Sequence, residues 1–158
     1  MPHRHNSLSS IDLPRLAIVG CGAAAREFYL PRLAEHPQFR SSGVLIDSAR
    51  ERAEQSAIDF GVDHFCEELA AVPFDVDAAI ITTPHKHHAP QALHFIRQGT
   101  HVFVEKPLAM DAQQAKQIGE EAASHGVIAM VNNYRRLFPS YQRVHEIIES
   151  GQLGDIQQ

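Results

Sequence analysis

Cysteine is nearly absent from this 158-residue sequence: only Cys21 and Cys66 occur, so a disulfide framework does not hold it together. A surplus of basic charge is also missing. Lys and Arg total 14 against 19 Asp and Glu, a formal net charge of -5, which gives no reason to expect a nucleic-acid partner. No apolar run approaches the length of a membrane span, and Met1 to Ser10 lack the apolar core of a signal peptide. A cytoplasmic location without membrane contact is the expectation. There is no internal repeat, low-complexity tract or long linker. Residues 1–13 read as a disordered tail. What is present is a hydrophobic content of 44%, enough for a domain that buries its own core.

The most informative segment runs from Leu16 to Ala25. An apolar run, Leu16-Ala17-Ile18-Val19, ends in Gly20, and the spacing Gly20, Gly22, Ala25 fits the G-x-G-x-x-G/A pattern. Gly20 permits a tight turn out of a strand. Gly22 removes a side chain where a pyrophosphate would approach the backbone, and Ala25 lets the helix pack closely. The helix N-terminus then offers N–H groups and a positive dipole end to the phosphates. Such a turn carries weight only after a strand and before an acid that closes the next strand. Both conditions hold, because Gly43-Val44-Leu45-Ile46 is a second buried-strand pattern and Asp47 ends it. A carboxylate there accepts hydrogen bonds from the adenosine ribose and repels a 2′-phosphate, so the expected cofactor is NAD, with NADP second. Arg50 and Arg52 follow closely and are candidates to stack on adenine or meet a phosphate. The plainer reading of Asp47 is a helix N-cap for the stretch starting at Ser48.

Strand-like and helix-like patterns alternate along the rest of the chain. Helices are expected over about 23–35, broken by Pro31 and ended near Pro37, and over 48–60, 89–98 and from Asp111, as cap, to Gly126. A last helix carries Tyr141, Val144 and Ile148 and ends near Gly151. Strands are expected at 62–65, 77–82, 101–104 and 127–131. This βαβ alternation predicts an α/β fold: a doubly wound parallel Rossmann-type sheet in three α/β/α layers.

Further runs carry a resemblance. Thr82-Thr83-Pro84-His85-Lys86-His87-His88, the turn Gly99-Thr100-His101-Val102 into Glu105-Lys106-Pro107, and Asn133-Tyr134-Arg135-Arg136 follow the glycine motif in order. Together they resemble the signatures of the glucose-fructose oxidoreductase/inositol dehydrogenase/MocA family, and Ser150 to Ile156 resembles the segment leading into that family's second domain. The resemblance covers nearly all of the chain from Leu16 onward.

It implies an NAD(P)-dependent oxidoreductase acting on a sugar, polyol or related hydroxylated compound. Lys106 would be catalytic, hydrogen-bonding the reacting oxygen beside the nicotinamide. Glu105 would orient the cofactor end of the site, and Pro107 would set the turn, with a cis bond as one option. Thr83 and Pro84 match the loop beside the nicotinamide ribose, and His88 matches the family's His there. His85 stands where Asn is more usual, and Arg135 matches an Arg on the substrate side. The expected cofactor contacts are therefore Gly20, Gly22, Ala23, Ala24, Ala25, Asp47, Ser48, Arg52, Thr82, Thr83, Pro84, His85, His88, Glu105, Lys106 and Arg135.

Each assignment has a plainer rival. The rival for Lys106 is an exposed lysine after a strand, which the Glu-Lys-Pro run at a strand's carboxyl end disfavours, while Arg135 and Arg136 read equally as a solvated helix face. His85, His87 and His88 suggest zinc, but they crowd one loop without Cys or acidic partners at ligand spacing, so no metal is expected. Cys21 sits at a helix N-terminus, where a thiol pKa tends to fall, yet its place inside the glycine motif makes it a spacer.

Members of the family usually carry a second domain that binds substrate and forms the oligomer interface. The expectation is a cofactor domain over 14–152, with 153–158 opening a further domain whose strand stub would promote association; the complete form would be a homo-oligomer. The chain alone is expected to bind cofactor without turnover. Alternatives are a non-catalytic dinucleotide-binding sensor or partner module, and a methyltransferase-like nucleotide binder, which has no evident need for Lys106.

Overall fold

The computed structural model describes residues 13–155. Six strands form one sheet: β1 (Leu16–Val19), β2 (Val44–Ile46), β3 (His64–Cys66), β4 (Ala78–Ile81), β5 (His101–Val104) and β6 (Ala129–Val131). Every neighbouring pair is parallel, in the order β3-β2-β1-β4-β5-β6. β1 lies at the centre, with Val19 facing Ile46 on one side and Ile81 on the other. The order reverses between β1 and β4, which opens a crevice at the strands' carboxyl ends.

Strand alternation builds two cores from one sheet. Ala17, Val19, Val44, Ile46, Ala79 and Ile81 face α4 (His88–Ile96) and α5 (Ala112–His125), packing on Phe95, Ile96 and Ile118. Leu16, Ile18 and Leu45 face the opposite way, onto Leu30, Phe39 and Ala53, the last from α3 (Arg50–Phe60). The result is the α/β/α three-layer Rossmann arrangement anticipated from the sequence. Ile18 and Leu45 are fully buried, and each such side chain contributes about 1.5–3 kcal/mol relative to exposure. Asp111 caps α5 as expected, its carboxylate accepting the Gln114 N–H at 2.8 Å.

The region after the glycine loop differs from expectation. Pro31 does not break the helix. A π-helical turn, Ala25–Tyr29, runs into α1 (Leu30–Leu33), with the Leu30 N–H donating to the Ala25 carbonyl. Widening the turn shifts the hydrogen-bond register just ahead of Pro31, which lacks an N–H to give. Pro37, expected to mark the end, instead opens α2 (Pro37–Ser42), because proline's fixed φ suits a first helical position.

α6 (Pro139–Glu149) closes the described chain, and none of its residues is buried. Tyr141, Val144 and Ile148 share its exposed stripe, and Ile128 and Met130 around β6 are also exposed. Gly151 to Asp155 form turns and bends; the expected strand stub runs on into residues 156–158, and residues 1–12 of the expected 1–13 tail, like these, lie outside the described residues, while Leu13 donates its N–H to Gln38. Among the described residues, no helix is long and apolar enough to cross a membrane.

Candidate active site

A cleft of about 640 Å³ opens at the carboxyl ends of β1, β2, β4 and β5. Its floor is the turn after β1. Gly20 has φ +92°, and a Cβ there would stand 2.9 Å from Thr83 Cγ2 and 3.0 Å from Thr83 N, so the turn requires glycine on both conformational and steric grounds. Gly22 is different. A Cβ on it would meet nothing within 4 Å, so packing within the protein does not demand glycine. Gly22, Ala23 and Ala24 line the cleft, where the first helical turn leaves N–H groups without intrahelical acceptors. Open space over a glycine, beside free N–H groups at a helix N-terminus, fits a pyrophosphate. Ala25 is fully buried and packs in the core instead of lining the cleft.

Asp47 forms the second wall. It is only 7% exposed, and its carboxylate accepts the Cys21 N–H and the Ala49 N–H, both at 2.9 Å. Arg52 Nη1 lies 3.5 Å from Oδ2. The Ala49 bond is the local turn that precedes α3, whose N-cap position is Ala49 itself. Each carboxylate oxygen keeps a further lone pair, so this bonding leaves Asp47 able to meet ribose hydroxyls. Ser48 and Arg52 line the same end. Cys21 is buried, and desolvation, with the nearby Asp47 charge adding to it, pushes its thiol up to about 12; the fall suggested by its helix position does not occur.

The third wall follows β4. Thr82 Oγ1 donates to the Gly20 carbonyl at 2.7 Å, and Thr83 Oγ1 bonds Gln91. Thr83, Pro84, His85 and His88 line the cleft, together with His87. The His88 ring is 1% exposed. Its Nδ1 faces the Pro107 carbonyl at 2.6 Å and its Nε2 faces the Thr83 carbonyl at 2.7 Å. Both nitrogens are thus engaged by backbone, and His88 staples the loop after β4 to the loop after β5. Among the described residues, no three His, Cys, Asp or Glu side chains converge as a metal-ligand set.

Glu105 and Lys106 close the site at the end of β5, and the Lys106–Pro107 bond is cis. Glu105 Oε1 accepts from Tyr29 Oη at 2.6 Å and Asn132 Nδ2 at 2.7 Å, and Oε2 from the Lys106 N–H at 3.1 Å. Burial pushes the Glu105 carboxyl up, but these donors and the Lys106 charge outweigh it, and its pKa falls below the usual range. Tyr29 moves the other way, raised by burial first and then by its bond to Glu105.

Lys106 also lines a second cleft, of about 410 Å³, with Asn132, Asn133, Tyr134, Arg135, Arg136 and Tyr141. Arg135 therefore lies here and not with the glycine loop; the neighbouring Tyr134 and Tyr141 hydroxyls raise its pKa. Sequence reasoning missed Glu67, Leu69, His87 and Gln91 on the first cleft's wall, and Tyr29 and Asn132 around Glu105. Asn132 was findable, because it follows β6 as Glu105 follows β5. Tyr29 carried no such signal.

The fold and this crevice define a dinucleotide-binding α/β protein. The chain belongs to the oxidoreductase family with an NAD-binding Rossmann fold whose model, GFO_IDH_MocA, matches residues 14–133. It is 35% identical over 142 residues to 4-carboxy-2-hydroxymuconate-6-semialdehyde dehydrogenase of Sphingobium sp. (strain NBRC 103272 / SYK-6), covering 89% of this chain and 44% of that protein. It is 34% identical over 110 residues to scyllo-inositol 2-dehydrogenase (NAD(+)) of Bacillus subtilis (strain 168), covering 68% of this chain and 32% of that one. Among solved structures it resembles KijD10, a 3-ketoreductase from Actinomadura kijaniata in complex with NADP and TDP-benzene, with TM-score 0.76 and 27% identity over 89% of this chain and 43% of that one. The WlbA dehydrogenase from Bordetella pertussis, in complex with NADH and UDP-GlcNAcA, gives TM-score 0.78 and 25% identity over 90% of this chain and 41% of that one. The chain spans less than half the length of these relatives.

Proposed function

We propose that this chain is the cofactor-binding domain of an NAD(P)-dependent oxidoreductase that moves hydride between nicotinamide and a hydroxyl or carbonyl carbon of a sugar, polyol or related compound. The observation that carries the reading is Lys106, which stands on the walls of both clefts. One cleft fits a dinucleotide and the other would receive the reacting part of the substrate.

When bound, the nicotinamide supplies the hydride acceptor or donor. Gly22, Ala23 and Ala24 would hold the pyrophosphate, Asp47 the adenosine ribose, and Thr83 and Pro84 the second ribose. The Lys106 ammonium would hydrogen-bond the substrate oxygen and stabilise the charge it gains as the carbon–hydrogen bond breaks or forms. Arg135 would face the substrate side. Asp47 supports NAD over NADP, because its carboxylate repels a 2′-phosphate; relatives of both preferences occur, NAD(+) in one inositol dehydrogenase and NADP(+) in another.

The exposed apolar residues of α6, Tyr141, Val144 and Ile148, support a further domain packing there to complete the substrate site, since apolar patches mark interaction surfaces. A homo-oligomeric complete form and a cytoplasmic location belong to the same reading.

Calorimetric titration of the chain with NAD, NADH, NADP and NADPH, with S-adenosylmethionine as control, is the test. Binding that favours NAD(H) upholds the reading, and binding of S-adenosylmethionine alone removes it. In the complete protein, Lys106→Ala is expected to leave dinucleotide affinity within about threefold and to lower turnover by a factor on the order of 10² or more. Unchanged turnover would take Lys106 out of the chemistry.

A further inference from the structure

We propose that Tyr29 and Asn132 are positioning residues: they clamp the Glu105 carboxylate and so tie the helical segment that begins at the glycine loop to the end of β5 that carries Lys106. The consequence for Lys106 rests on the oxidoreductase reading above; the clamp itself does not.

The three side chains form a closed triangle. Tyr29 Oη donates to Glu105 Oε1 at 2.6 Å, and Asn132 Nδ2 reaches both Glu105 Oε1 at 2.7 Å and Tyr29 Oη at 2.9 Å. The remaining Glu105 oxygen accepts the Lys106 N–H at 3.1 Å. The carboxylate thus bonds to a helix, to the end of β6 and to the residue after itself. A group bonded at both oxygens has little freedom to rotate, and neither has the peptide that donates to it.

The helix is shaped for this contact. Ala25 and Leu30 are both fully buried although five residues apart, a spacing that an α-helix would place well off a common face and that the π turn brings into line. Tyr29, beside Leu30, is left at the edge of the buried stripe. There its ring meets the edge of Phe103 on β5, with centroids 6.2 Å apart. The same helical segment presents Ala23 and Ala24 to the dinucleotide cleft. A phosphate seated at its first turn and the ammonium of Lys106 are therefore referenced to one rigid link.

The groups that face Glu105 are Tyr29 from the helical segment, Asn132 from the end of β6, and the N–H and ammonium of Lys106 from its own loop. Donors to the ionised carboxylate lower its pKa, so removing them must raise it.

The test uses Tyr29→Phe, Asn132→Ala and the double variant. Tyr29→Phe keeps the ring against Phe103 and removes one oxygen, so the chain is expected to fold, which its melting temperature checks. In this chain, ¹³C NMR of the Glu105 carboxyl reads its titration directly. Each single variant is expected to raise the midpoint, and the double by on the order of one pH unit, with NADH affinity, read by calorimetry, changed by less than about threefold. In the complete protein, kcat is expected to fall about tenfold at unchanged KM for dinucleotide, and the acid limb of its pH profile to move up with the NMR midpoint. A midpoint unmoved in the double variant overturns the clamp. So does a loss of NADH affinity that accompanies all of the loss in kcat, since that is damage to packing. Absence of dehydrogenase activity in the complete wild-type protein would instead sink the oxidoreductase reading, while the titration in this chain still decides the clamp.

Discussion

The centre of the sheet and the last elements of the chain are built to different standards. Around the glycine loop and the ends of β4 and β5, four polar side chains of the cleft are braced: Asp47 by the Cys21 and Ala49 N–H groups, Thr82 by the Gly20 carbonyl, His88 by two carbonyls, and Glu105 by three donors. Around β6 and α6 the surface is apolar and unbraced, with Val144 54% and Met130 56% exposed. A preorganised polar cleft suits a ligand whose charges must be met without rearrangement. An amphipathic helix whose apolar stripe is exposed is suited to burial by another surface. The described residues therefore divide into a braced polar cleft and an exposed apolar surface.

The sharpest way to break this contrast lies in the two glycines of the loop. Gly20→Val forces a branched side chain into a left-handed conformation against Thr83 and is expected to cost about 3 kcal/mol or more of stability, read by denaturant unfolding. Gly22→Val has room for its side chain and is expected to change stability by less than about 1 kcal/mol while lowering dinucleotide affinity by roughly 100-fold, read by calorimetry. Equal affinity of Gly22→Val and wild type would remove the pyrophosphate from this turn.

Asp47→Ala should act less severely. It leaves the buried Cys21 N–H without its acceptor and is expected to cost about 1–3 kcal/mol of stability. Its affinity for NAD is expected to fall about tenfold more than its affinity for NADP, and equal losses for both cofactors would cancel the ribose assignment. The smallest effect should come from the exposed last helix. Val144→Ser on exposed α6 is expected to shift the stability of this chain by no more than about 0.5 kcal/mol and to leave dinucleotide affinity unchanged. In the complete protein the same change should lower the melting temperature or weaken assembly; no effect in either setting would mean that the α6 face is ordinary solvent-exposed surface.

Much of this architecture was legible because parallel strands buried on both faces announce themselves as short apolar runs, and Leu16–Val19, Ala78–Ile81 and His101–Val104 fall within or on the predicted spans. The glycine spacing and the acid after the second strand marked the cleft because turn geometry and ligand approach restrict residue type at fixed offsets. Local rules failed at Pro31 and Pro37, where the same residue type breaks, tolerates or starts a helix according to the hydrogen-bond register around it.

By itself the sequence determined the sheet, the order of its motifs, and the set of loops that would meet at the carboxyl ends of the strands. Tertiary structure alone decided that His88 spends both ring nitrogens on backbone carbonyls, that Arg135 belongs to the second cleft, and that Tyr29, 76 residues from Glu105 in sequence, closes onto its carboxylate. The physical reason is range. Periodicity and turn chemistry act over a few residues and are written in neighbouring letters, whereas a hydrogen bond across a cleft depends on where two distant backbones come to rest.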